Sequence, residues 1–62
     1  MNRLKEIRRL KGMTQYELVM AIRLYQTRIF QWERGYYIPR KSEKEALAEA
    51  LKVSVKDIFP NE

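Results

Sequence analysis

The chain contains no cysteine and no histidine. Without cysteine, neither a disulfide nor a thiolate metal site can brace the fold. Without histidine, the commonest metal ligand and the commonest general base are also missing. Glycine and proline occur twice each, which favours helices over a loop-rich or stranded chain. The longest apolar run, Leu18 to Ile22, is five residues, against about 20 for a membrane span. The opening Met-Asn-Arg-Leu-Lys-Glu lacks the apolar stretch of a secretory leader. A cytoplasmic location is therefore expected, with no membrane partner. There is no Gly-rich phosphate loop, and Glu43, Glu45 and Glu49 lie on one helix as a solvated acidic face. These absences argue against an enzyme, a cofactor, a metal site and a small-molecule ligand.

What is present is positive charge, unevenly placed. The net charge is +5 over 62 residues. Met1 to Lys41 holds ten Lys/Arg against three Glu, whereas Ser42 to Glu62 holds three Lys against five acidic residues. The first two-thirds thus carries the attraction for a polyanion. A chain this short makes one domain, spanning 1–62, and buries only roughly 60% of its unfolded surface. With no covalent or metal staple, well-packed helices must supply the stability.

Punctuation divides the chain into five short helices, an all-α bundle. Leu4, Ile7 and Leu10 form a narrow apolar stripe. Asn2 can cap its start, and Gly12 with Met13 makes a Schellman stop. Thr14-Gln15-Tyr16-Glu17 is a capping box that opens a second helix, Gln15 to about Ile22, burying Leu18, Val19 and Ile22. A third helix from about Gln26 to Arg34 buries Ile29 and Trp32 and ends at Gly35. Tyr36 to Lys41 reads as a loop, since Pro39 disfavours helix at Ile38. Ser42-Glu43-Lys44-Glu45 is read as the capping box of a fourth helix, with Ala46, Leu47, Ala50 and Leu51 on its apolar face. Ser54-Val55-Lys56-Asp57 opens a last short helix that stops before Pro60.

The stretch 14–35 has the spacing of a helix-turn-helix. Counted from Gln15, the two helices must meet at the fourth, eighth, tenth, fifteenth and eighteenth places. Those are Leu18, Ile22, Leu24, Ile29 and Trp32, all apolar. Gln26, Thr27, Phe30, Gln31 and Arg34 then face outward, with no carboxylate among them, as a helix entering a phosphate-lined groove requires.

Thr14-Gln15-x-Glu17-Leu18, Ile29-x-x-Trp32-Glu33-Arg34-Gly35, Pro39, Ala48-x-Ala50-Leu51-x-Val53-Ser54-Val55 and Ile58-Phe59 resemble the repressor/Cro-type, or XRE, family of helix-turn-helix regulators. The resemblance runs from Asn2 to Phe59 and implies a lambda-repressor-like fold. It implies that Gln15 binds a DNA phosphate, that Gln26, Thr27 and Gln31 read bases, and that Arg8 and Glu33 pair to tie the first helix to the third. Gln can pair bidentately with adenine, and Thr can meet a thymine methyl. Four positions depart from the pattern. Val19 replaces a small residue where helices approach, and Arg23 replaces the usual glycine of the turn. Tyr25 stands where a capping Ser or Thr is usual, and Phe30 is unusual on an exposed face.

Phe30 can contact a thymine methyl, pack against Tyr25 or Arg34, or join a protein interface. Arg23, Tyr25, Arg34, Arg40 and Lys41 are phosphate candidates, and Arg28 can reach phosphate or simply face water. Tyr36 and Tyr37 are compatible with phosphate, dimer or loop contacts. The expected partner is double-stranded DNA, and the expected function is sequence-specific transcriptional regulation, specifically repression. A homodimer is expected at least on DNA, with Ile38, Val55, Ile58 and Phe59 as interface candidates. The competing reading is an antitoxin-like protein-interaction module in which Tyr25, Phe30, Tyr36 and Tyr37 form the binding patch.

Overall fold

Local signals set most helix limits. The computed structural model describes residues 2–23 and 26–60, and of Gln26 the backbone only. Among these residues lie α1 (Leu4–Leu10), α2 (Gln15–Ile22), α3 (Gln26–Arg34), α4 (Lys41–Leu51) and α5 (Val55–Ile58), and no strand. The Asn2 side chain accepts from the Leu4 amide at 3.0 Å, so it caps α1 from two residues upstream. Gly12, at φ 71°, closes α1 with both Schellman bonds, Gly12 to the Arg9 carbonyl and Met13 to that of Arg8. Gly35, at φ 77°, closes α3 in the same way through the carbonyls of Trp32 and Gln31. At α2 the Glu17 amide donates to the Thr14 hydroxyl and the Thr14 amide to the Glu17 carboxylate, a reciprocal box. Ser54 and Asp57 repeat it at α5.

Two expectations about the helices need correction. The fourth helix begins at Lys41, not after a Ser42 cap. Its first turn is held by Glu43, whose carboxylate accepts from the Arg40 amide at 2.7 Å. Lys41 is therefore the first helical residue rather than the end of the loop. In α1, Leu10 is 74% exposed, while Arg8 is buried. Three residues advance a helix by about 300°, so an i, i+3, i+6 stripe drifts around the cylinder. Leu4 and Ile7 face inward, Arg8 shares their face, and Leu10 has rotated off it.

The core is built by α2 against α3 and α4, α1 against α3, and α5 against α4. Leu4, Leu18, Ile29, Leu47, Leu51 and Ile58 are fully buried, with Ile7, Trp32, Ala48 and Phe59 completing the cluster. Val19, Ile22 and Ala50 pack at its margin. Of the five helix-turn-helix positions, Leu18, Ile29 and Trp32 are buried and Ile22 is half-buried. Leu24 lies outside the described residues. Burial also settles part of the expected dimer surface. Ile58 and Phe59 are spent inside the monomer and offer no interface, whereas Ile38 is 80% exposed and Val55 is half-buried.

Candidate nucleic-acid interface

The frame of the site is a charge pair in the interior. Arg8 on α1 donates through Nε to Glu33 Oε2 at 2.6 Å and through Nη2 to Oε1 at 3.3 Å. Its Nη1 donates to the Met13 carbonyl at 2.6 Å. Gln15 Nε2 donates to Glu33 Oε1 at 3.0 Å. One carboxylate thus gathers α1, α3 and the first residue of α2. The side chains of Arg8 and Glu33 are 9% and 3% exposed. Such a pair orients helices more than it stabilises them, because desolvation offsets much of the attraction. Asn2 adds a second tie, donating from Nδ2 to the Trp32 carbonyl at 2.7 Å.

Between α2 and α3 the chain turns at Arg23, with φ 58° and ψ 40°. The residue that replaces the customary glycine therefore adopts the left-handed conformation itself. Its side chain is exposed. Tyr25, and with it the question of how the third helix is capped, lies outside the described residues, as does the Gln26 side chain.

On α3, Thr27, Arg28, Phe30 and Arg34 are exposed and Gln31 is half-buried. The guanidinium of Arg34 lies over the Phe30 ring, 5.0 Å from its centroid. Packing of Phe30 against Arg34, one of the surroundings open to it, is therefore present. Arg28 reaches sideways rather than outward, donating from Nη1 to Glu43 Oε2 on α4 at 3.3 Å. An open cleft runs between α3 and the loop leading to α4, lined in part by Thr27, Gln31, Tyr37 and Arg40. Arg40 and Lys41, at the start of α4, are exposed, as are Tyr36 and Tyr37.

The structure thus brings Gln15, Arg8 and Glu33 together, and sets Thr27, Gln31 and Arg40 around one cleft. The bond from Asn2 to α3 and the reach of Arg28 to Glu43 had no sequence signal beyond suitable residue types, since each spans a distance in the chain that no periodicity covers. Among the described residues, no cluster of three or more acidic side chains is placed to hold a metal ion. No helix there is long and apolar enough to cross a membrane.

A family model described as helix-turn-helix matches residues 4–58, all five helices. The chain belongs to the XRE-type helix-turn-helix family. This XRE-type domain is therefore a member of a family of DNA-binding transcription regulators. None of the curated proteins compared matches the chain.

Proposed function

We propose that this XRE-type domain is a sequence-specific repressor that inserts α3 into the major groove of DNA. The observation carrying the reading is the fate of the one carboxylate on α3. Glu33 is turned into the interior against Arg8, 3% exposed. The outward face of α3, with Thr27, Phe30, Gln31 and Arg34, is left without negative charge. A face meeting a groove between two rows of phosphates needs that property. Gln26, Thr27 and Gln31 are the proposed base readers, with Phe30 beside them. Gln15, Arg23, Arg34, Arg40 and Lys41 are the proposed phosphate contacts, which position the helix without reading sequence.

The backbone extends 26 Å along its longest axis, the scale of a half-site rather than of several DNA turns of roughly 34 Å each. One copy covers one half-site. Two copies on adjacent half-sites form the proposed homodimer, with exposed Ile38 and the neighbouring Tyr36 and Tyr37 as contact surface. An occupied operator is closed to other proteins, so repression is the proposed outcome. The same exposed residues support the second reading, an antitoxin-like module that binds protein through Phe30, Tyr36 and Tyr37. Substitution separates the two. Gln31→Ala should lower discrimination at one base pair by about 1–3 kcal/mol, measured by competition among single-base operator variants. An equal loss on every duplex would remove Gln31 from the readers.

A further inference from the structure

Glu43, expected on a solvated acidic face with Glu45 and Glu49, instead faces the cleft between α3 and the loop to α4 and is engaged on both sides. One oxygen accepts from the Arg40 backbone amide at 2.7 Å, which fixes the start of α4 and the end of the preceding loop. The other accepts from Arg28 Nη1 at 3.3 Å, across the cleft from α3. The Glu43 side chain is 17% exposed and that of Arg28 is 51% exposed. Arg28 belongs to the recognition helix by sequence, next to Thr27, yet its guanidinium is drawn toward α4.

We propose that Glu43 is a restraining residue that keeps Arg28 out of phosphate contact and so holds down affinity for DNA of any sequence. The proposal rests on the DNA-binding reading given above. A phosphate contact carries no sequence information. An added arginine contact would raise affinity for every duplex alike, and competing non-specific sites vastly outnumber operators. Glu43 acts through Arg28 and does not itself need to touch DNA. Its position in the capping turn lets one carboxylate both start α4 and neutralise a cation that would otherwise be free to swing into the groove edge.

The test is a charge count, which a merely structural role would not change. The slope of log affinity against log salt is measured on a random-sequence duplex and on a selected operator. Glu43→Gln keeps an acceptor for the Arg40 amide and removes the ion pair. It should tighten binding to both duplexes by the same factor and steepen both slopes by about 0.9, the value for one added phosphate contact. Adding Arg28→Ala should abolish both changes. Arg28→Ala alone should leave the parent slope unaltered. Arg28 lies outside the core, so this variant carries the test even if Glu43→Gln does not fold. An unchanged slope in Glu43→Gln would overturn the proposal. So would an equal gain in the Arg28→Ala background, which would show that Glu43 acts only as a distant negative charge. A slope shallower by about 0.9 in Arg28→Ala alone would show that Arg28 already holds a phosphate, and would overturn it too. Failure of the parent protein to bind any duplex at low salt is a separate outcome, and it removes the DNA-binding reading itself.

Discussion

Arg23 and Lys52 sit at φ 58° and 57°, each just past the end of a helix. The left-handed conformation costs a residue with a Cβ about 1–2 kcal/mol, and a glycine there would give back about 0.5–1 kcal/mol through its looser unfolded state. Arg23→Gly and Lys52→Gly should therefore each raise stability by about 0.5–1 kcal/mol, read from denaturant midpoints. Their effects on DNA should differ. Arg23→Gly should make the salt slope of binding shallower by about 0.9, whereas Lys52, outside the proposed interface, should leave it unchanged. Equal slopes in the two variants would remove Arg23 from the phosphate contacts. The ion pair makes a second contrast. Arg8→Met strands the Glu33 carboxylate in the interior and should cost about 3–5 kcal/mol. A domain of 62 residues has only about 3–9 kcal/mol in total, so thermal unfolding should show a large loss. Arg8→Met combined with Glu33→Leu should recover much of it. At this scale the sequence was legible where a residue type has one use, as for Gly12 and Gly35, whereas the Arg8–Glu33 pair was expected only from the family resemblance. It was not legible for Leu10, whose apolar side chain faces outward, because a spacing of three places residues only near one face.

Each helix is started or stopped by a few hydrogen bonds, and one of these starts has a pH signature. The Asp57 carboxyl is held below the ordinary carboxylate range, first by the Ser54 backbone amide and then by the Ser54 hydroxyl. The Glu6 carboxyl is lowered by its hydrogen bond and charge contact with Arg3. A carboxyl whose folded pKa lies below its unfolded value stabilises the fold above the unfolded pKa and loses that contribution as pH falls through the folded one. The unfolded values lie at about 4, so the melting temperature should fall as pH drops below that point. Asp57→Asn should flatten this decline, and an unaltered profile would show that the α5 box does not contribute to it. The same boxes explain which helix limits could be read. α2 and α5 each offer one Ser or Thr followed three residues later by an acid, and both begin where that pattern places them. α4 offers two overlapping choices, Arg40 with Glu43 and Ser42 with Glu45. Propensity favours serine as cap. The structure uses Glu43, which also meets Arg28 from across the cleft, and that tertiary contact is invisible to a local pattern.

Across the whole molecule, the charge asymmetry and the helix-turn-helix spacing agree. The basic first two-thirds contains α2, α3 and the loop to α4, and the mildly acidic remainder supplies the helices that buttress them. The order of the helices and most of the core were legible because 3.6-residue periodicity and caps reinforce each other. The dimer surface was less so. Ile58 and Phe59 lie on and just after a helix too short to show which face it buries, and packing of α5 against α4 leaves both buried. Ile38 remains, exposed beside the proposed reading helix. On the proposed function, α3 reads base sequence from one half-site per copy. Selection of binders from a pool of random duplexes, at moderate salt, tests it most directly. The expected winner is a near-palindrome with half-sites about one turn, 10–10.5 base pairs, apart. A pool that stays random through selection, with no duplex retained even at low salt, would contradict it.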